Sequence, residues 1–510
     1  SFNNEKGFSF VKMKKLFIIP LFFVLLSCAD NSSNNTNNKD TSTSDVFTTP
    51  FVSENSLILG ENKVNYDKSK TFNTLIYQAR TPVNEDYHIK NRYSISANGQ
   101  QIKPTHPVFH KQFDVEKGSI ESINELNKNL QQYAYNNNIK PIDKNSSVLK
   151  KTMPQTVEVG TKWESVYLLN IDDNTYSTIS ATCIAVSENA YFFMQDGLDS
   201  LTNEQITAIT TAFDKDYNII HHYYGKETDT DSNGKVSFLI ANFSPDIFGF
   251  FSSADKYAPQ DIPAVYKSNE ADVLYINYYY FKNEWNKYQT DLKAAFIHEF
   301  QHMVLFDTRY RLGLNSNLDA WLNEGLSMLS EYYCGYAAPH ERYIGGYFAK
   351  NQGISLITDD ESQDYGLSYL FVRYLQIRFG DSIIKKLYAS EYSGVKAVEE
   401  AVNMDFNDLF LDFTKMILLT GRNVTTDNRY NIEEFNYPEG TGGYAENGFN
   451  LAAIIDEVYS LYSEDNNFIT SIGYNKSLEL YGFAITKWYG NIDNITLSGS
   501  DGIAGMYGIW

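Results

Sequence analysis

Cysteine is scarce in this sequence, with three residues (Cys28, Cys183 and Cys334) in a chain of 510. Secreted proteins that depend on disulfides for stability carry many more cysteines in a much shorter chain. A disulfide scaffold is therefore excluded, and a chain of this length can bury a hydrophobic core without one. Cys183 and Cys334 either pair in an oxidising compartment or remain two buried thiols, and the sequence leaves both readings open.

Basic residues are also few: 42 lysines and arginines stand against 63 aspartates and glutamates, so the formal net charge is -21. Proteins that bind DNA, RNA or anionic lipid surfaces neutralise phosphates with clustered lysines and arginines. We therefore expect no nucleic-acid partner. The acidic balance favours solubility and does not by itself identify a cationic substrate.

Long apolar runs are missing from the chain beyond its N-terminal segment. No later segment reaches the roughly 18 apolar residues of a transmembrane helix. The run from Met13 to Cys28 has two lysines before about a dozen apolar residues, the layout of a secretion signal. It ends in Leu-Leu-Ser-Cys, which resembles a bacterial lipobox whose cysteine receives a diacylglycerol. We interpret residues 1–28 as a lipoprotein signal peptide with its true start at Met13, and an ordinary cleaved signal is the alternative.

The segment after Cys28 has the composition of a tether. Residues 29–50 are mostly Asn, Ser, Thr, Asp and Lys, which cannot bury enough surface to fold. We expect the protein to reside in the bacterial cell envelope, anchored to a membrane by the lipid on Cys28 and exposed to the periplasm or the cell surface.

The folded part of the chain divides into three predicted regions. Residues 51–154 combine short strands with a helix over Ile120–Asn136 and form an N-terminal region, either a pro-segment or a binding domain. Residues 155–425 alternate strand and helix patterns, which predicts an α+β catalytic domain. Residues 426–510 contain short strand-like runs and predict a C-terminal β-rich domain.

The strongest chemical signal is the sequence His298-Glu299-Phe300-Gln301-His302, an H-E-x-x-H motif inside a predicted helix. A spacing of four places both imidazoles on one helix face, where each can donate a ring nitrogen to one Zn²⁺. Glu299 faces the same opening and is the predicted general base that takes a proton from water.

A catalytic zinc site needs a third protein ligand and one open position. Glu324, in Trp-Leu-Asn-Glu-Gly-Leu-Ser on a second predicted helix, lies 22 residues after His302 and completes a His₂Glu set of the thermolysin-like type. A metzincin would place a third histidine shortly after His302, but positions 305 and 308 are Leu and Thr. The predicted metal ligands are therefore His298, His302 and Glu324.

These two motifs and the run from Tyr365 (Tyr-Gly-Leu-Ser-Tyr-Leu-Phe-Val-Arg-Tyr-Leu) resemble the hyicolysin family of secreted bacterial metallopeptidases over about residues 155–425. The resemblance implies a thermolysin-like (gluzincin) fold, one catalytic zinc and endopeptidase activity on proteins or peptides. It implies metal binding by His298, His302 and Glu324, with Glu299 as the base. Related enzymes place a Tyr or His opposite the metal, and the candidates here are Tyr365, Tyr369 and His340, of which Tyr365 is preferred.

A second candidate cation site is an acidic segment that precedes a predicted strand. Asp229-Thr-Asp231-Ser-Asn233-Gly234 has oxygens at alternate positions and a glycine, as in the first half of a calcium-binding loop. Position 12 of that loop is Ile240 where a bidentate Glu would stand. Calcium binding is one interpretation, and a plain Asp/Asn/Gly turn into the next strand is the other.

Together these patterns predict a zinc-dependent endopeptidase that hydrolyses extracellular proteins. The alternative is a surface lipoprotein adhesin that uses the same scaffold with little or no catalysis, because a fold does not fix a function. Glu299 argues for the enzyme, since a metal site alone does not need that residue.

Overall fold

We analysed a computed structural model of the chain. It describes residues 57–61, 72–78, 91–97, 100–101, 120–142, 153–154, 156–245, 247–337, 340–351, 353–357, 365–423, 425–436, 449–459, 470–472, 477–489, 494–499 and 503–509. The predicted signal peptide, Cys28 and the tether over residues 29–50 lie outside the described residues. None of the helices in the described ranges has the length and apolar character that crossing a membrane requires.

Strands and helices both contribute to the fold. The strands are β1 Leu57–Glu61, β2 Phe72–Gln78, β3 Asn91–Ala97, β4 Gln100–Gln101, β5 Lys162–Asn170, β6 Thr175–Val186, β7 Ala190–Gln195, β8 Val236–Ala241, β9 Gly249–Phe251, β10 Val273–Asn277, β11 Thr470–Ile472, β12 Ser477–Leu478, β13 Phe483–Tyr489, β14 Asn494–Gly499 and β15 Ile503–Ile509. The helices are α1 Ile120–Asn136, α2 Asn203–Tyr223, α3 Tyr278–Asn283, α4 Trp285–Arg311, α5 Ala320–Tyr333, α6 His340–Gly346, α7 Tyr365–Phe379, α8 Ser382–Ala389, α9 Val395–Val402, α10 Phe406–Leu419 and α11 Leu451–Tyr459. The mixed α+β class expected from the sequence is confirmed.

A six-stranded sheet forms the centre, in the order β5-β6-β7-β8-β10-β9. β7, β8 and β10 run parallel, whereas β5, β6 and β9 pair antiparallel with their neighbours. Every residue of β8 and β10 is buried, as continuous β-branched and aromatic runs predict. The short strand β9 lies at the end of the sheet nearest α4, which carries the H-E-x-x-H motif.

The long helix α4 packs one face against this sheet and another against α5. Phe296 of α4 contacts Phe238 of β8, and Phe300 contacts Phe213 of α2, so aromatic packing holds the helix against both the sheet and α2. α5 lies close against α7 because Gly325 leaves room there: an added Cβ would be 2.7 Å from the carbonyl oxygen of Ser368. That close approach sets the position of the neighbouring Glu324.

Two further sheets join the ends of the chain. β2 pairs with β13 and β15, and β3 pairs with β12 and β14, while β1 also pairs with β14. The strands predicted before residue 154 and after residue 426 are therefore shared between common sheets.

The two described cysteines are both free and buried. Cys183 belongs to the core on one side of the central sheet and Cys334 to the larger helical core. Of the two readings left open by the sequence, the structure contains two buried thiols.

Candidate metal centre

The structure brings the three predicted metal ligands together. The rings of His298 and His302, one turn apart on α4, have centroids 4.9 Å apart. Glu324 of α5 faces both rings, with Oε2 2.9 Å from Nε2 of His298 and Oε1 3.5 Å from Nε2 of His302. One donor atom from each of the three residues lies within 4.8 Å of the other two.

The donor set fits a tetrahedral zinc ion. Zinc–nitrogen and zinc–oxygen distances of about 2.0–2.1 Å separate two tetrahedral donors by about 3.3 Å. The distances of 2.9 and 3.5 Å from the two Nε2 atoms to the carboxylate of Glu324 bracket that separation. Two imidazoles and one carboxylate are also the chemistry that zinc selects in hydrolases.

Polar partners hold the far side of each imidazole ring. Nδ1 of His298 lies 2.7 Å from Oε1 of Glu331, and Nδ1 of His302 lies 3.1 Å from Oδ1 of Asn323. The hydroxyl of Ser327 lies 3.2 Å from the same Nδ1 of His302. In the tautomer that binds a metal, Nδ1 donates its proton to these acceptors and Nε2 is free to coordinate, an arrangement that orients histidine ligands.

Two of the surrounding residues were not predicted from the sequence. Glu331 lies on α5 two helical turns after Glu324, and a search for acidic residues at that spacing could have found it. Asn124 of α1 donates from Nδ2 to Oε1 of Glu324 at 3.0 Å, across 200 residues of sequence. No motif or spacing connects Asn124 with the metal centre.

The predicted base Glu299 lies between the metal centre and the sheet edge. Its Cγ is 3.5 Å from the position of a Cβ added to Gly249 of β9, and the backbone of Phe251 hydrogen bonds to its carboxylate. Burial raises the pKa of Glu299 to about 7, while the charge on His298 opposes that shift. A carboxylate with a pKa near neutrality is suited to accept and return a proton.

The electrostatics of His302 and Glu324 favour their metal-binding forms. For His298, burial lowers the pKa, but the hydrogen bonds to Glu324 and Glu331 outweigh it and raise the pKa, so a metal would displace a proton from this ring. Burial lowers the pKa of His302 to about 4, so its imidazole is neutral at pH 7. Burial opposes ionisation of Glu324, but the interactions with His302 and His298 outweigh it and lower the pKa to about 2. Glu324 is therefore a carboxylate throughout the neutral range.

The three candidates for the residue opposite the metal occupy different places. The ring of Tyr365, at the start of α7, has its centroid 6.3 Å from that of His298. His340 is fully buried with Nε2 3.0 Å from Oε2 of Glu331, and Tyr369 packs against it with ring centroids 4.1 Å apart. Of the three, Tyr365 is therefore the one whose ring directly neighbours that of a predicted metal ligand.

The predicted calcium loop is a turn before β8. Carboxylate oxygens of Asp229, Asp231 and Asp272 approach within 4.8 Å of one another. Asp231 also accepts hydrogen bonds from the backbone and side chain of Asn233, as an Asp/Asn turn does. Calcium binding at this turn stays a prediction.

The chain matches no protein-family model and no curated protein. The functional assignment therefore depends on the residues of the metal centre themselves.

Proposed function

We propose that this chain is a zinc-dependent endopeptidase of the thermolysin-like (gluzincin) type, similar to the hyicolysin family. The observation that carries the proposal is the convergence of His298, His302 and Glu324 on one point, with Glu299 beside it. A site that only stored metal would not need Glu299, a buried carboxylate whose pKa of about 7 suits proton transfer.

Each residue of the metal centre has its own role in the proposed reaction. His298, His302 and Glu324 would hold the zinc, which supplies Lewis acidity toward a peptide carbonyl and toward water. The carboxylate of Glu299 accepts the proton of the attacking water and passes it to the leaving amine. Glu331 and Asn323 hold the two imidazoles in orientation through Nδ1.

We further propose that the substrates are proteins or peptides outside the cytoplasm and that the lipid on Cys28 anchors the enzyme in the bacterial envelope. The lipobox-like sequence and the polar residues 29–50 support this location. The net charge of -21 supports the absence of a nucleic-acid partner.

The test compares zinc content and casein hydrolysis of purified residues 29–510 with those of Glu299→Gln. We expect about one zinc per chain in both proteins and a loss of cleavage of about 10²–10⁴-fold in the variant. Glu391→Gln, a matched change at an exposed glutamate, is the control and should behave as the parent. Zinc binding without cleavage in every protein would favour the adhesin reading, and a parent without zinc would refute the site.

A further inference from the structure

The edge of the central sheet offers backbone hydrogen-bonding groups next to the metal centre. The carbonyl of Phe248 accepts from the backbone amide of Asn277, so alternate residues of this segment face β10. Phe251 consequently turns its amide and carbonyl away from β10, and its amide contacts Glu299. The amide of Phe251 is thereby engaged, and an extended peptide that reached Glu299 would lie along this edge and pair with the carbonyl of Phe251.

Helix α1 occupies that edge. Nδ2 of Asn127 donates to the carbonyl of Phe251 at 2.8 Å, and Oδ1 of Asn127 accepts from the backbone amide of Ser253 at 2.7 Å. One side-chain amide thus satisfies the outward carbonyl of β9 and the first N–H of the 3-10 helix Ser253–Lys256 that follows it. The carbonyl is a group that an added strand would use.

The same helix also reaches the metal centre. Asn124, three residues before Asn127 and thus on the same helix face, donates to Oε1 of Glu324 at 3.0 Å. Beyond Asn127, Asn317 donates to the carbonyl of Lys128 at 3.1 Å. α1 therefore extends over the groove from the candidate ligand to the loop before α5.

The metal centre under this helix is largely closed to solvent. The side chains of His298, His302 and Glu324 are 13%, 10% and 3% exposed. Because α1 contacts both Glu324 and the carbonyl of Phe251, a polypeptide substrate that approached these donors along β9 would meet this helix.

The docking of α1 combines apolar and polar contacts. Ile123, Leu130 and Ala134 of α1 are buried in the hydrophobic cores of the protein, whereas the contacts within the groove are made by asparagine amides. Gln131 of the same helix is buried, and its Oε1 has no hydrogen-bond partner. A buried acceptor without a partner makes the docking of α1 less stable than it would be if every buried polar group of the helix were hydrogen-bonded.

We propose that α1 is an intramolecular inhibitor of this enzyme, bound in the groove where the peptide substrate pairs with β9. This inference rests on the proposed endopeptidase function. Asn127 holds the outward carbonyl of Phe251 with which the substrate would pair, and Asn124 holds the carboxylate of Glu324. Catalysis requires α1 to leave the groove.

The experiment measures two quantities on the zinc-loaded chain of residues 29–510: kcat/KM for a peptide substrate and the rate of zinc removal by dipicolinate. Asn127→Ala removes the hydrogen bond to Phe251 of the edge strand and the one to Ser253 beyond it, and it touches no metal ligand. Losing two hydrogen bonds should raise both quantities about tenfold. Asn129→Ala, the same change at an exposed position of α1, should leave both within about twofold of the parent, because exposed substitutions cost little.

Unchanged or lower values of both quantities in Asn127→Ala, at parental zinc content and melting temperature, would make α1 a permanent wall of the site and overturn the proposal. Faster zinc removal in Asn127→Ala without cleavage by any of the proteins would show that α1 covers the metal centre and would refute the proposed endopeptidase activity. Asn317→Ala removes a different contact of α1 and should act in the same direction, so the proposal stays testable if Asn127→Ala does not fold.

Discussion

Oε1 of Glu331 lies 2.7 Å from Nδ1 of His298, on the side of the ring opposite the Nε2 that faces Glu324. The second carboxylate oxygen of Glu331 lies 3.0 Å from Nε2 of His340, whose Nδ1 is buried without a hydrogen-bond partner. Glu331 thus connects the first predicted ligand with a buried histidine on α6. Because an acceptor at Nδ1 fixes the tautomer of a ligand histidine, we expect Glu331 to position His298 for the proposed metal.

Glu331→Gln should weaken zinc affinity by about 10- to 100-fold, because the neutral amide accepts more weakly from Nδ1 of His298 than a carboxylate does. Competition with a fluorescent zinc chelator measures this affinity. Glu391→Gln removes an exposed carboxylate and should bind zinc as the parent does. Equal affinities in the two variants would show that Glu331 does not support the metal.

A buried lysine links the sheet to the end of α4 that lies beyond the metal centre. The side chain of Lys256 is 0% exposed, contacts Asp272, and has Nζ 2.8 Å from Oδ2 of Asp307. Burial alone would lower the pKa of Lys256, but the two carboxylates raise it, so the lysine is charged. Removing this charge would leave two buried carboxylates without their cation.

Lys256→Met should therefore lower the free energy of unfolding by about 3–5 kcal/mol, as expected when one partner of a buried ion pair is deleted. Urea denaturation followed by circular dichroism measures it. Lys162→Met is the matched control, because Lys162 is 55% exposed and its ion pair with Asp196 should contribute less than about 1 kcal/mol. A loss as small as that of the control would contradict the structural role of Lys256.

The metal cluster was predictable because its geometry is local. His298 and His302 lie four apart on one helix, and α4 presents both rings to one side as that spacing requires. The helix itself extends from Trp285 to Arg311, with a kink at Tyr288, well beyond the motif on both sides. Periodicity detects only the buried stripe, whereas the outer turns of α4 carry many polar residues that the pattern does not mark.

Contacts between distant segments were not predictable in this way. Asn124 is 200 residues from Glu324, and an asparagine in an amphipathic helix looks like an ordinary surface residue. The pairing of β2 with β13 and β15 joins strands about 400 residues apart, and their sequences specify strand formation but not the partner. Turn-like composition after residue 426 also concealed α11, a short apolar helix.

The last prediction concerns the residue that stabilises negative charge on the substrate oxygen. Tyr365 begins α7 beside the metal centre, with its ring 6.3 Å from that of His298 and 5.6 Å from that of Tyr343, measured between centroids. A phenol at this place can donate a hydrogen bond to an oxyanion formed there. Tyr343, on α6, offers a comparison because its ring contacts that of Tyr365.

Tyr365→Phe should lower kcat by about 10²–10³-fold, the usual cost of removing one oxyanion donor, and leave zinc content unchanged. Steady-state kinetics on a peptide substrate separates this effect from a change in KM, because a group that acts only in the transition state lowers kcat. Tyr392→Phe, at a tyrosine 47% exposed, should keep the parental rate. Full turnover by Tyr365→Phe together with a loss in Tyr343→Phe would transfer the role to Tyr343, whose ring contacts that of Tyr365.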